Sequence, residues 1–421
     1  MSTSLFTLLF VLFLAIQTMV RVWLSSRQIR YVSAHRPEVP NEFAEKISLR
    51  SHQRAADYTV ERMKLGMIEW VFDAFILIAF TLLGGLQLID IFLQKQFTGE
   101  LWRQLALLAS VSIITGLLHL PFSLWRQFKL EAKFGFNRMT LKLFISDSIK
   151  GIAVSLVLGL PLMAAILWLM AEAGNAWWLW AWALWVGFNV LILYLYPTFI
   201  APMFNKFTPL DNPELAERIN KLTQRCGFTL NGLFVMDGSK RSAHGNAYFT
   251  GFGKARRIVF FDTLLNKLNG PEIEAVLAHE LGHFKHKHII KRMVSSFLIA
   301  LVFFALLGYL KNTVWFYEGL GIIPALGRSN DALALILFFM VIPVFTYLLS
   351  PVASWFSRKD EFQADQYAKE QTEANALVSA LVKLYDDNAA TLTPDPLHSA
   401  FYDSHPPATI RIRHLTTGVK A

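Results

Sequence analysis

Ala278-His279-Glu280-Leu281-Gly282-His283 is the stretch on which the reading of this chain turns. On a helix, His279 and His283 stand one turn apart on the same face, so both imidazoles reach one metal ion. Glu280 lies beside them, placed to act as a general base on a water held there. The run before it supports a helix. Pro271 suits the first turn, Gly270 stands just before it, and Glu272 and Glu274 follow near the positive helix end. Short patterns of this kind recur by chance, so the rest of the chain must carry the reading.

The surroundings are those of a membrane protein. With 54% hydrophobic residues, 35 Phe, 12 Trp and a mean hydropathy of +0.39, the 421-residue chain is too apolar for a soluble protein of its length. A net charge of +9 would suggest nucleic acid as partner for a soluble chain. Here the basic residues flank the apolar runs and read as membrane topology, so the partner is the lipid bilayer and no nucleic acid is expected. Cys226 has no second cysteine to pair with, and Arg225-Cys226-Gly227 reads as a packed helix end.

Residues 5–24 form a first span. Arg21, Arg27 and Arg30 follow it and no base precedes it, which implies an uncleaved helix with its N-terminus outside. The polar segment 31–66 is cytoplasmic and helical after Pro40-Asn41. Further spans fall at about 68–93, 101–124, 150–172, 176–197, 293–310 and 331–355. The loops at 94–100 and 171–176 are poor in bases and belong outside. The segment holding Arg126, Lys129, Lys133, Arg138, Lys142 and Lys150 belongs inside. Trp177 and Trp178 suit an interfacial belt, and Trp180, Trp182 and Trp185 read as packing. Between the fifth and sixth spans the composition changes. A helix starts at Asp211-Asn212-Pro213-Glu214 and runs to Arg225, and Leu233–Met236, Ala247–Thr250 and Arg257–Phe261 read as short strands.

The fold class is therefore an α-helical polytopic membrane protein with seven transmembrane helices and a small α+β zincin-like metalloprotease domain. Its segments are 1–197 with five spans, 198–288 with the HExxH helix, 289–356 with spans six and seven, and a helical tail at 357–421. The HExxH helix and the C-terminus share the cytoplasmic side.

A catalytic zinc takes three protein ligands and keeps one position for water. His286 lies seven residues beyond His279, roughly 10 Å along a helix axis and too far to share its ion. His286 and His288 read as solvated residues at the membrane edge. The better source is Ser357-Arg358-Lys359-Asp360-Glu361-Phe362-Gln363-Ala364-Asp365. Glu361 completes a two-histidine, one-glutamate set, and Asp365, one turn on, accepts the second ring N–H of a ligating histidine. Alone, these are ordinary acids on a charged helix. Their position on the same side as HExxH favours ligation.

Taken together, the HExxH stretch and Ser357-Arg358-x-x-Glu361-x-x-Ala364-Asp365 resemble the Ste24 type of CAAX prenyl protease, an integral-membrane zinc metallopeptidase of family M48. The resemblance covers nearly the whole chain. It includes Phe134-Gly135-Phe136-Asn137, Asn246-Ala247-Tyr248-Phe249, Ile258-Val259-Phe260-Phe261-Asp262-Thr263-Leu264-Leu265 and Ser404-His405-Pro406-Pro407 followed by Arg411-Ile412. It implies one zinc held by His279, His283 and Glu361, with Glu280 activating the water. It implies that the segment at Asn246, Ala247 and Tyr248 pairs with an extended substrate. It also implies that His405 lies near the metal to stabilise an oxyanion, and that Arg411 holds the substrate's C-terminal part. Family members enclose the site in a chamber formed by the seven helices.

The implied substrate is a peptide or protein, prenylated at a C-terminal CAAX in the family's type. Gly418-Val419-Lys420-Ala421 carries no recognisable retrieval signal and the chain is short beside eukaryotic members, which points to a bacterial inner membrane, where prenylated CAAX proteins need not be the natural substrate. Two other readings compete. An HtpX-type quality-control protease also uses HExxH and a distal acid, but is shorter, with fewer spans, and lacks the FGFN and NAYF blocks. A non-catalytic scaffold or transporter would use a closed structural zinc site, which the open fourth position and intact Glu280 oppose.

Overall fold

The computed structural model describes residues 1–229, 231–250 and 257–417; the C-terminal tetrapeptide read for a retrieval signal lies outside them. The chain opens with α1 (Thr3–His35), started by Ser2, whose hydroxyl accepts from the Leu5 amide at 3.3 Å. α2 (Leu49–Phe80) starts at Ser48 in the same way. It is followed by α3 (Gly85–Gln96) after a bend of 48°. The sequence suggested one continuous span over 68–93. The structure breaks it at residues 81–84, and two glycines make the break. Gly84 adopts φ +79°, and a Cβ on Gly85 would lie 2.6 Å from the Ala79 carbonyl oxygen. α4 (Glu100–Trp125), α5 (Leu141–Glu172) and α6 (Trp177–Leu195) complete the N-terminal bundle.

Next comes a four-stranded sheet of β1 (Phe207–Pro209), β2 (Leu233–Met236), β3 (Ala247–Thr250) and β4 (Arg257–Phe261), in the order β1-β2-β4-β3. β2 and β4 are parallel, and both outer pairs are antiparallel. Three strands lie where the alternating and β-branched pattern put them. β1 went unread because three residues ending in Pro209 show no period. The helix α7 (Pro213–Arg225) lies between β1 and β2, capped by Asn212. It is the helix expected from Asp211-Asn212-Pro213-Glu214.

α8 (Gly270–Lys285) carries the HExxH stretch, and α9 (His288–Leu310) leaves it directly. Then come α10 (Asp331–Thr346), α11 (Ser350–Gln371), α12 (Ala374–Asp387), α13 (Pro396–Tyr402) and α14 (Ala408–Thr417). Among the described residues, six helices are long and apolar enough to cross a membrane, or seven with the bent α2–α3 pair counted as one. α10 is the bundle's centre, with Leu333, Ala334, Leu335 and Leu337 all buried. α6 lies at its edge. Trp177, expected in an interfacial belt, is instead buried under the Lys311 ammonium, 5.0 Å from its ring centre, while Trp180 is 60% exposed on the lipid side. The burial of α6 follows the face it turns to its neighbours rather than depth.

A second core lies below the bundle. Ile219 and Leu222 of α7, Ile258 and Phe260 of β4, Leu277 and Leu281 of α8, Leu377 and Leu381 of α12 and Ile412 of α14 pack into it. The Phe134-Gly135-Phe136-Asn137 loop docks the bundle onto this domain. Gly135 takes φ +78°, Phe136 is buried and stacks on the His244 ring at 4.2 Å, and its carbonyl accepts from the Ala243 amide at 3.1 Å.

α8 is held at its start by a capping box. The Asn269 side chain accepts from the Glu272 amide and Glu272 accepts from the Asn269 amide. The same buried carboxylate accepts from Ser379 Oγ at 2.7 Å and Lys383 Nζ at 2.8 Å, tying α8 to α12. Burial pushes the Glu272 pKa up, but Lys383, the Asn269 amide and Ser379 outweigh it and hold it below the ordinary value. A folded pKa below the unfolded value of about 4.3 gives stability that is present above that pH and lost as pH falls through the folded value. Glu272→Gln is therefore expected to lower Tm at pH 7, by the equivalent of about 1–2 kcal/mol. The gap to the unmodified chain should narrow as the pH falls below about 4.3 and through the lower folded value. Thermal melts across that range check it.

Candidate metal centre

The centre is made by two helices at unusually close range. A Cβ on Gly282 of α8 would meet Ala364 Cα of α11 at 2.9 Å and Tyr367 Cβ at 3.1 Å. With no side chain there, α11 lies against α8 and presents Glu361 to the two histidines. His279 Nε2 and His283 Nε2 are 3.2 Å apart. Glu361 Oε2 is 3.4 Å from His279 Nε2, and Glu361 Oε1 is 3.3 Å from His283 Nε2. Donors set tetrahedrally about 2.0–2.1 Å from one ion stand about 3.3–3.4 Å from each other. The three side chains already have that spacing. The Glu361 carboxylate is also buried, and the groups around Oε2 are the rings of His405 at 2.7 Å and His279 at 3.4 Å, a donor set suited to a cation. The residues therefore fit a metal ion.

Outer partners fix the rings. His279 Nδ1 faces Asp365 Oδ1 at 2.8 Å. Arg411 donates from Nε to Asp365 Oδ2 at 2.8 Å and from Nη2 to Oδ1. Burial would raise the Asp365 pKa, but Arg411 and His279 hold it below the carboxylate range. Burial also works against charge on His279, yet hydrogen bonds to Asp365 and Glu361 raise its pKa to about 9 in the metal-free chain. The Glu361 carboxyl is lowered in spite of burial by His279, His283 and His405. His405 is 60% exposed, with Nδ1 2.7 Å from Glu361 Oε2.

A cavity of about 710 Å³ beside the centre is lined by His405, Asn246, His244, Arg62 and Tyr402. Asn246 leads into β3, an edge strand whose outer side has no partner among the described residues. Its register, Ala247 opposite Phe260 and Tyr248 opposite Val259, uses one side of β3 only. Tyr248 lines a separate cavity of about 310 Å³ with Phe207 and Phe234, and burial pushes its pKa up to about 12.

Two family models together match most of the chain. Residues 28–206 match the CAAX prenyl protease N-terminal domain, described as five membrane helices, and residues 209–419 match peptidase family M48. The chain belongs to family M48. Relatives include the CAAX prenyl protease 1 homolog of Oryza sativa subsp. japonica, 41% identical over 75% of this chain and 74% of that one. The CAAX prenyl protease 1 of Saccharomyces cerevisiae is 38% identical over 74% of this chain and 72% of its own. The crystal structure of S. mikatae Ste24p superposes with a TM-score of 0.92 at 30% identity, covering 98% of this chain and 99% of that one. This M48 peptidase is thus a multi-pass, membrane-embedded metalloendopeptidase acting on peptide or protein substrates.

Within the M48 frame, the structure gathers His279, His283, Glu361, Asp365, His405 and Arg411 into one cluster, with Glu280 half-buried on α8 between the two histidines. Arg411, expected to hold substrate, is 6% exposed with its fork committed to Asp365. The reading of His288 as solvated is corrected. It is 1% exposed, with Nδ1 3.0 Å from His283 Nδ1. The turn that buries it is made by Lys287 at φ +57°, a conformation no lysine advertises in a sequence. Gly282 was likewise read only as part of the motif.

Gly282→Val is expected to force α8 from α11 and separate Glu361 from the histidines. Metal content by elemental analysis should fall well below one per chain while the membrane bundle stays folded. Full metal content in the variant would show that the close approach is not what assembles the centre.

Proposed function

We propose that the chain is a zinc endopeptidase that cleaves near the C-terminus of prenylated, CAAX-type substrates, with His279, His283 and Glu361 as the zinc ligands. The observation that carries this is the convergence of three donor groups, with His279 Nε2 and His283 Nε2 3.2 Å apart and the Glu361 carboxylate facing both, Oε2 at 3.4 Å from the first and Oε1 at 3.3 Å from the second. The printed names of the relatives, CAAX prenyl proteases, support the substrate class. Zinc bound there would supply Lewis acidity, polarising a carbonyl and lowering the pKa of a water.

The chain's own residues do the rest. Glu280 takes a proton from the water as it adds to the scissile carbonyl and returns it to the leaving amine. His405, exposed beside Glu361, donates to the oxygen that becomes negative. Asp365, held by Arg411, keeps the His279 Nδ1 proton and so leaves Nε2 free to ligate. The backbone at Asn246, Ala247 and Tyr248 aligns an extended peptide along the open side of β3. Arg411 acts on substrate indirectly in this arrangement, through Asp365 and His279. The basic loop after α4 supports a cytoplasmic site, since the Arg138 amide donates to the Arg241 carbonyl at 3.1 Å on the metal-domain side.

A labelled farnesyl-CAAX peptide, purified chain in detergent and a chelated control test the proposal. The unmodified chain should cleave it and the chelated sample should not. Glu280→Gln should lose about 10²–10⁴-fold in kcat with its metal retained, and His405→Ala about 10²-fold. A metal-loaded Glu280→Gln chain that cleaves at the native rate would remove Glu280 from the role of base. Cleavage of unprenylated peptides as fast as farnesylated ones would redirect the substrate class.

A further inference from the structure

His283 carries one ligand nitrogen and one that must be told what to do. The inner nitrogen, Nε2, faces His279 and Glu361. The outer one, Nδ1, lies 3.0 Å from His288 Nδ1. On the far side of the His288 ring, Nε2 lies 2.9 Å from Gln363 Oε1 and 3.5 Å from Asp360 Oδ1. Both of those oxygens are acceptors. His288 Nε2 therefore carries the proton, and a neutral His288 has its lone pair on Nδ1. That lone pair accepts only if His283 donates from Nδ1, which leaves the lone pair of His283 on Nε2, aimed at the metal position. The opposite arrangement, with the Gln363 amide turned round to donate, would pass a proton inward and leave His283 Nε2 protonated against a cation.

We propose that His288 and Gln363 form a proton-directing relay, Gln363 to His288 to His283, which sets the ligating tautomer of His283 as Asp365 does for His279. His288 is thereby a positioning residue for the metal ligand, and the inference rests on the metal reading above. Two features build the relay. His288 is 1% exposed, so water cannot substitute for its partners. Lys287, at φ +57°, stands between the end of α8 at Lys285 and the start of α9 at His288, turning a side chain five residues beyond His283 back over it. On an uninterrupted helix the fifth residue would point off that face. Asp360 is engaged by Arg292 at 3.1 Å, which leaves Gln363 as the nearer and freer acceptor.

The relay also makes the two histidines unequal. His279 leans on a carboxylate that is itself held by an arginine, which makes its ring more basic. His283 leans on a neutral ring and an amide. Removing the charged support should weaken metal binding more than removing the neutral one.

Zinc affinity by chelator competition on the purified full chain in detergent tests the relay, with Tm and size exclusion as controls for folding. His288→Leu matches volume without an acceptor and is expected to weaken zinc binding about 10–100-fold. His288→Gln keeps an acceptor oxygen and is expected to bind within about threefold of the unmodified chain, a small fraction of the usual outer-partner loss. If His288→Leu does not fold, Gln363→Leu, which breaks only the outer link, should still weaken zinc binding by several-fold. Native affinity in the variants that lack the acceptor would overturn the relay, as would an equal loss in His288→Gln and His288→Leu, the mark of a packing role. An unmodified chain that holds no zinc at all would instead sink the metal reading on which the relay depends.

Discussion

The metal centre depends on a contact one methyl group wide. α8 supplies both histidines from a single face, but no helix can present a third ligand to an ion that its own side chains already face. A second helix has to come within backbone distance, and Gly282 against Ala364 allows it. Any side chain at 282 would hold α11 away by more than the tolerance of a tetrahedral site, because ligand distances vary by only about 0.2 Å. The small residue inside HExxH is therefore as much a part of the site as the ligands, although it touches no metal.

The charges show what the site lacks without a cation. Asp365 and Arg411 are both buried and form a closed pair. Glu361 is buried as well, and Arg411 Nη1 approaches it only to 3.8 Å. With neutral histidines the cluster would carry one uncompensated negative charge. Hydrogen bonds to Asp365 and Glu361 raise the His279 pKa against the effect of burial, the direction expected where a buried carboxylate has no cation of its own.

Much of this was legible in the sequence because it rests on periods. The apolar runs, the i, i+4 pairs His279/His283 and Glu361/Asp365, and three short strands all have a repeat that a reader can find. What stayed hidden rests on single backbone conformations or on close approach. The break at Gly84 and Gly85 lies inside a run whose hydropathy does not change. Trp177 and Trp180 share a composition and differ only in which side of α6 they occupy. His288 looked solvated because helical spacing from His283 puts it off the ligand face. The left-handed Lys287 cancels that spacing. Arg411 could be placed near the site, but not assigned to Asp365, because the partner is 46 residues away.

The path of the chain connects this centre to the bilayer. α8 passes into the span α9 with only residues 286 and 287 between them, and α11 continues from α10 through a single turn at Tyr347–Leu349. Glu361 is the twelfth residue of α11, about 16 Å along its axis from Ser350. Both ligand-bearing helices are thus extensions of membrane-crossing ones, and the depth of the metal is set by helix rise rather than by a flexible linker. An extended peptide covers about 3.3 Å per residue, so some five residues bridge that distance. A peptide or protein substrate that meets the chain at the bilayer therefore needs only a short extended segment to reach the ion. The rigid connection of α8 and α11 to their spans is the feature that ties a zincin-like site to the membrane.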